Sequence, residues 1–215
     1  SDPAMNWRIS SLAKITLLSN SDAHSPNTIG REANIFDCEV SYAAIMDAIK
    51  SKRGLIGTVE FFPQEGKYYY DGHRSCAVSM SPDETIQHKY LCPVCGRKLT
   101  MGVMHRIEEL ADKKMGIRPK GRPPFYSVMP LREIIAETIN AGAKSRMIDR
   151  EYTRLLQEMG NELSILTTIS LEDLERVGSP RFAEAISRMR KGDVNIKPGF
   201  DGEYGKVKIF DKADR

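Results

Sequence analysis

The spacing of three cysteines and one histidine is the feature that most constrains what this chain can fold into. His73-x-x-Cys76 and Cys92-x-x-Cys95 have the same internal spacing, and fifteen residues separate the two inner cysteines. Structural zinc takes four tetrahedral ligands, and two such pairs on facing turns supply them with little strain. Gly96 suits such a turn, because the backbone after the second cysteine often needs a conformation that glycine tolerates. The pattern predicts a zinc-binding module at about 71–112.

The fourth ligand of this site stays open at the level of sequence. Cys76, Cys92 and Cys95 are the predicted thiolate ligands, and His73 is the favoured fourth. His88 and His105 are alternatives to His73. Four protein ligands leave no open position for water, so we expect this Zn²⁺ to be structural and to perform no chemistry. The competing interpretation, simple buried thiols, must explain three cysteines within twenty residues of one another.

Composition is that of an ordinary soluble protein of one to three domains. Of 215 residues, 40% are hydrophobic, and no apolar run approaches the roughly 20 residues that span a bilayer. No secretory signal pattern is visible, so a reducing, cytoplasmic location is expected for the paired cysteines. Cys38 lies outside the paired motif and is predicted to be an ordinary buried thiol. Residues 1–5 resemble a remnant of tag removal.

Residues 1–70 read as part of an α/β domain. The apolar run 14–20 predicts a buried strand, 39–52 has helical periodicity, and 55–62 predicts a second strand. One strand, helix and strand cannot close a barrel or a doubly wound sheet. We therefore expect this part of the chain to begin inside a larger domain.

The second half of the chain reads as helical. After a short helix at 102–112, a basic linker covers 113–129, and an amphipathic helical domain with a C-terminal β-hairpin occupies 130–215. The helices predicted in that domain are 130–142, 146–159, about 170–177 and 180–191.

Asp22 and His24 are candidate ligands of a catalytic metal. They directly follow the predicted strand 14–20, where a carboxylate and an imidazole two residues apart can face one cavity. Metals held there activate water and neutralise phosphate charge. From the residues alone the alternative remains that Asp22 caps a turn and His24 is a solvated loop residue.

Two basic regions are candidate contacts for nucleic acid. Residues 113–122 hold five basic and no acidic side chains, namely Lys113, Lys114, Arg118, Lys120 and Arg122. Such side chains neutralise phosphates without reading sequence. Arg181 follows the Gly178-Ser-Pro turn, which loosely resembles one helix-hairpin-helix unit. An ordinary turn between two helices is the alternative there.

Several stretches resemble known proteins. Ser-Asn-Ser-Asp22-Ala-His24-Ser-Pro resembles the last metal-binding motif of the polymerase-and-histidinol-phosphatase (PHP) phosphoesterases. The stretches 54–67, 71–76, 92–112 and 198–210 together resemble endonuclease Q, most specifically around the cysteine pairs. The implied fold class is α+β multidomain: a remnant of a PHP-type α/β barrel at 1–70, a zinc ribbon at 71–112 and a small C-terminal helical domain.

The resemblance also implies an activity and a partner. An endonuclease Q nicks DNA on the 5′ side of deaminated bases (hypoxanthine, uracil) or at abasic sites, in duplex or single-stranded DNA. Asp22 and His24 would be ligands of a catalytic cluster of divalent metals (Zn²⁺, Mg²⁺ or Mn²⁺). No histidine precedes His24, so we expect the chain to bind DNA without holding a complete cluster. The alternatives are a PHP phosphoesterase of another substrate and a non-catalytic zinc-ribbon module that binds nucleic acid or protein.

Overall fold

The computed structural model describes residues 1–114, 116–142 and 145–211. The chain folds as two compact units: the first comprises residues 1–125 and 196–206, and the second comprises 126–195 and the C-terminal residues from Val207. No helix in the described parts of the chain is long and apolar enough to cross a membrane.

The first unit combines short helices with small antiparallel sheets. Its elements are α1 (Pro3–Trp7), β1 (Ala33–Phe36), α2 (Tyr42–Ser51), β2 (Leu55–Phe61), β3 (Asp71–His73), β4 (Val78–Met80), α3 (Pro82–Gln87) and α4 (Val103–Leu110).

The second unit is built from helices. Its elements are α5 (Leu131–Thr138), α6 (Arg146–Met159), α7 (Glu162–Thr167), α8 (Leu171–Val177) and α9 (Pro180–Lys191). Three further strands, β5 (Phe125–Val128), β6 (Asn195–Lys197) and β7 (Lys206–Lys208), lie where the chain passes from one unit to the other.

The main sheet of the first unit contains β1 and β2. β1 and β2 are antiparallel, with Ala33 opposite Val59 and Ile35 opposite Gly57. The helix predicted at 39–52 and the strand predicted at 55–62 are confirmed as α2 and β2. Ser41 starts α2 because its hydroxyl accepts the amide of Ala44, which satisfies a helix-end donor.

The predicted strand at 14–20 is wrong. A single turn of 3₁₀ helix ends at Leu12, before this segment, and the run 14–20 is irregular, with Ile15 and Leu18 52% and 43% exposed. The side chain of Asn34 accepts the Ser19 amide at 2.9 Å and donates to the Ser19 carbonyl at 2.7 Å. An asparagine side chain thus takes both main-chain hydrogen bonds of Ser19 that a neighbouring strand would otherwise take.

Residues 1–5, interpreted from sequence as a tag remnant, are part of the packed structure. Asp2 caps α1 by accepting the amide of Met5 at 2.8 Å. Met5 is buried in a cluster with Tyr69, Met104 and Ile107. Apolar burial of this kind stabilises the first unit whatever the origin of these residues.

Cys38 is exposed, so its prediction as a buried thiol is wrong. It lies in the irregular segment between β1 and α2, ahead of the cap residue Ser41. Connecting segments of this kind run over the protein surface, because their backbone polar groups need solvent.

The helical unit matches its sequence pattern closely. Helices α6 and α9 have the bounds predicted from periodicity, and α8 starts one residue later than predicted. The short helix α7 was missed because six residues are too few to show a helical period. The largest fully buried aliphatic side chains of the unit are Leu131, Ile134, Ile135, Ile148, Leu155, Ile165, Leu166, Leu174, Ile186 and Ile209.

Candidate metal centre and nucleic-acid interface

The first ligand pair lies on a tight turn between two paired strands. His73 ends β3 and faces Val78 of β4, and a 3₁₀ turn carries Cys76 between them. Ala77 completes the turn with φ of 52°, and its amide donates to the Arg74 carbonyl at 2.9 Å. The short hairpin therefore brings the imidazole and the thiol close together.

The second pair lies on an equivalent turn. The Cys92 amide donates to the Arg97 carbonyl at 2.7 Å, and the Gly96 amide donates back to the Cys92 carbonyl at 2.8 Å. Gly96 adopts φ of 69°, which the sequence anticipated for the residue after Cys95. Both turns thus use one left-handed residue immediately after the second ligand.

Main-chain hydrogen bonds hold the two turns together. Gly72 donates to the Thr100 carbonyl at 2.9 Å, and Thr100 donates to the Gly72 carbonyl at 2.8 Å. Beneath them Met80, Cys92 and Leu99 form a buried cluster. Gly72 is required at this junction, because a Cβ there would lie 2.5 Å from the Phe200 ring.

The four predicted ligands converge. One ligand atom from each of His73, Cys76, Cys92 and Cys95 lies within 4.8 Å of all the others, and His73 Nδ1 is 3.5 Å from the Cys95 sulfur. A tetrahedral zinc with bonds of about 2.3 Å sets its sulfurs about 3.8 Å apart. A donor set of three thiols and one imidazole at this separation fits a soft divalent metal such as zinc.

The pKa values of two of the thiols are shifted in opposite directions. Burial, together with the neighbouring thiols of Cys95 and Cys92, raises the pKa of Cys76 to about 11. Burial works against ionisation of Cys92 as well, but hydrogen bonds from the amides of Cys95 and Val94, together with those of the Cys95 and His73 side chains, lower the pKa of Cys92 to about 7. One thiolate is thus favoured and its neighbour opposed, and a divalent ion supplies the charge needed to ionise both.

The two alternative histidine ligands lie elsewhere. His88 is exposed at the end of α3, and His105 is buried, with Nδ1 donating to Asp71 at 2.7 Å. The other oxygen of Asp71 accepts the Gly102 amide at 2.7 Å, at the start of α4. Sequence reasoning missed this aspartate, although its place two residues before a candidate ligand was a usable signal. Asp71 fixes α4 against β3.

Asp22 and His24 lie together on an exposed loop. The Nδ1–H of His24 donates to the Asp22 main-chain carbonyl at 2.7 Å. This hydrogen bond places the ring's lone pair on Nε2, and metal-binding histidines commonly make the same carbonyl contact. Among the described residues, no second group of three or more metal-ligating side chains converges besides the cysteine cluster.

The basic loop contains two kinds of residue. Lys113, Lys114, Arg118 and Lys120 are exposed. Arg122 instead donates to the carbonyls of Ile15 at 2.6 Å and Leu12 at 2.9 Å, and also to the carbonyl of Ala13. Because its guanidinium holds the 12–15 segment in place, Arg122 is built into the fold rather than presented to a phosphate.

Arg181 is also engaged within its own unit. Its guanidinium carbon lies 4.1 Å from the centre of the Phe210 ring, a cation–π contact. The neighbouring turn from α8 to α9 is closed by Ser179, whose hydroxyl accepts the Phe182 amide at 3.1 Å. A Cβ on Gly178 would lie 2.6 Å from the Phe182 ring, so close packing accounts for this glycine.

We predict that the cysteine cluster binds about one zinc per chain and that the first unit depends on it. Changing Cys92→Ser should lower zinc content below about half an equivalent and lower the thermal unfolding midpoint, because binding of structural zinc contributes several kcal/mol to folding. Metal analysis and thermal unfolding monitored by circular dichroism measure both. The matched control is Cys38→Ser, which alters the exposed thiol outside the cluster and should change neither quantity. Protein purified without chelator and holding less than about half a zinc would contradict the prediction.

Comparison with known proteins gives matches over the helical unit and over nearly the whole chain. The family model described as the MJ0043 C-terminal domain matches residues 130–193. The protein MJ0043 of Methanocaldococcus jannaschii is 35% identical over 214 residues, which are 96% of this chain and 27% of that protein.

Two solved structures are similar in both sequence and fold. The crystal structure of the lesion-specific endonuclease PfuEndoQ from Pyrococcus furiosus has a TM-score of 0.86 and 33% identity, covering 97% of this chain and 52% of that one. Endonuclease Q in complex with a 27-mer duplex carrying an abasic lesion has a TM-score of 0.82 and 33% identity, covering 99% and 54%. The chain thus spans about half the length of these structures. It is similar to endonuclease Q over nearly all of its own length, which confirms the resemblance indicated by its motifs.

Proposed function

We propose that this chain is part of a DNA-repair endonuclease that hydrolyses the phosphodiester on the 5′ side of a deaminated base, such as hypoxanthine or uracil, or at an abasic site. The observation that carries the proposal is the similarity to a lesion-specific endonuclease over 97% of this chain at a TM-score of 0.86. The thiol ligands require a reducing setting such as the cytoplasm.

In this proposal residues 1–70 belong to a PHP-type catalytic domain. Asp22 and His24 would be two ligands of a divalent metal cluster that activates water, with Zn²⁺, Mg²⁺ or Mn²⁺ as the candidate ions. The carbonyl contact of His24 Nδ1 supports this role, because it leaves Nε2 as the basic nitrogen. Two ligands do not make such a cluster, so we infer that the isolated chain binds DNA and does not cleave it.

Exposed apolar side chains support the view that residues 1–70 pack against a further polypeptide. Exposed apolar residues mark an interface when they form a contiguous patch, and we infer that those of this region belong to one. Apart from Tyr68, the exposed large apolar residues of this region are Ile15, Leu18, Ile29, Val40, Tyr42 and Ile56.

The four exposed cations of the basic loop are the proposed contacts to the phosphate backbone. Lys113, Lys114, Arg118 and Lys120 lie on a segment without acidic residues. Each neutralised phosphate releases counterions, so binding should weaken steeply with salt. Arg122 and Arg181 remain predicted contacts that nothing yet tests, and both already make contacts within the fold.

We predict that changing Lys114, Arg118 and Lys120 together to alanine weakens binding to duplex DNA and lowers the slope of log affinity against log salt by up to about 2.7. Fluorescence anisotropy over a salt series measures this slope. A matched control removes the same charge elsewhere in the first unit, by changing Lys14, Lys50 and Arg53 to alanine. Equal effects of the two triple variants would contradict a specific role for the loop.

We further predict that the purified chain does not nick duplex DNA containing deoxyinosine or an abasic site. Adding a polypeptide equivalent to the unmatched half of endonuclease Q should restore lesion-dependent nicking, because it supplies the remaining metal ligands. Gel analysis of an end-labelled duplex measures the product.

The double variant Asp22→Ala/His24→Ala is the control for this experiment. It should abolish the restored nicking, since two metal ligands are lost, while DNA affinity stays unchanged. Robust lesion-dependent nicking by the chain alone, lost in the double variant, would show that the chain is catalytically complete and overturn our inference.

A further inference from the structure

Two tyrosines of the first unit are exposed on neighbouring segments. Tyr68 is 52% exposed and Tyr204 is 70% exposed, whereas the adjacent Tyr69 is buried among Met5, Met104 and Ile107. The segments that carry them, 64–70 and 198–205, are far apart in sequence and both belong to the first unit. Neither tyrosine ring is used by the metal centre or by the basic loop.

The two segments are joined backbone to backbone. The Tyr70 amide donates to the Gly199 carbonyl at 3.0 Å, and the Gly202 amide donates to the Lys67 carbonyl at 3.0 Å. A Cβ on Gly199 would lie 2.2 Å from the Gly66 carbonyl oxygen, so only glycine permits this approach. The tyrosines are therefore presented by a fixed frame, which lowers the entropic cost of using them for binding.

A cation lies near each tyrosine. The Lys67 ammonium lies over one face of the Tyr204 ring, 4.5 Å from its centre, so a base would stack on the opposite face. A Cβ built on Gly202 would lie 3.4 Å from an Arg74 guanidinium nitrogen and 3.8 Å from the Tyr68 hydroxyl, so these two groups flank the same residue. The Arg74 amide is itself fixed by the Asp201 carboxylate at 2.6 Å.

We propose that Tyr68 and Tyr204 form a stacking surface for unpaired bases of single-stranded DNA, with Lys67 and Arg74 beside it for the adjoining phosphates. The proposal deepens the proposed function and rests on it, because it takes DNA as the ligand. Exposed aromatic faces next to cations bind successive bases whatever their sequence. A paired duplex keeps its base faces stacked, so the surface selects strands that are open, as they are around a lesion.

The source of affinity at this surface is stacking more than charge. Glu203 is exposed beside Tyr204 in sequence, and Asp201 lies beside Arg74, so the local charge is nearly balanced. Loss of a stacking ring therefore reduces affinity without changing the salt dependence. This separates the tyrosine surface from the basic loop, whose loss changes the slope.

The experiment measures anisotropy of a labelled oligothymidine of about 20 nucleotides and of a blunt duplex of the same length, with the full chain. Tyr68→Ala and Tyr204→Ala should each weaken oligothymidine binding about tenfold with an unchanged salt slope, and should leave duplex affinity within about twofold. Tyr68→Phe and Tyr204→Phe should retain binding, because phenylalanine keeps the ring. Tyr42→Ala, which removes an exposed tyrosine on α2, is the matched control and should have no effect.

The outcomes separate this inference from the proposed function. The stacking surface is overturned if the alanine variants bind oligothymidine as the parent does, or if they lose single-strand and duplex binding equally. In either case duplex binding by the parent chain leaves the proposed function intact. A parent chain that binds the duplex but not oligothymidine also overturns the stacking surface and leaves the proposed function intact. A parent chain that binds neither probe, although it holds zinc and is folded, overturns both.

Discussion

The convergence of four side chains from two short turns is the interaction on which the first unit depends. His73 and Cys76 come from the β3–β4 hairpin, and Cys92 and Cys95 come from a turn that begins fifteen residues further along the chain. Small modules bury too little apolar surface to be stable alone, and a metal that joins two turns replaces the missing core. Here the buried apolar cluster under the turns is small, consisting of Met80, Cys92 and Leu99.

Strand β3 connects this centre to the rest of the unit through three consecutive residues. His73 supplies a metal-ligating nitrogen, Gly72 admits the Phe200 ring and pairs with Thr100, and Asp71 holds His105 and the start of α4. A shift of this strand by one residue would exchange all three roles, since alternate side chains point to opposite faces. A metal bound by His73 would therefore also fix the frame carrying the 198–205 segment and its exposed tyrosine.

Sequence reasoning was most successful where chemistry or periodicity is local. The two x-x pairs predicted the converging ligands, and the apolar repeats predicted α2, α6, α8 and α9 within a few residues. It failed where a side chain makes the hydrogen bonds that a neighbouring strand would make, as Asn34 does with the main chain of Ser19. An apolar run such as 14–20 gives no sign of such a contact. Arg122 shows the same limit: the sequence gives no sign that its guanidinium donates to carbonyls at 12–15, because they belong to a distant segment.

X-ray absorption at the zinc edge of the purified chain would identify the atoms bound at this centre. We predict that zinc is bound by three sulfur atoms at about 2.3 Å and one nitrogen at about 2.0 Å. That set of ligand atoms should persist in Cys38→Ser and lose a sulfur in Cys92→Ser. A set made only of oxygen and nitrogen atoms, or one unchanged by Cys92→Ser, would contradict the account.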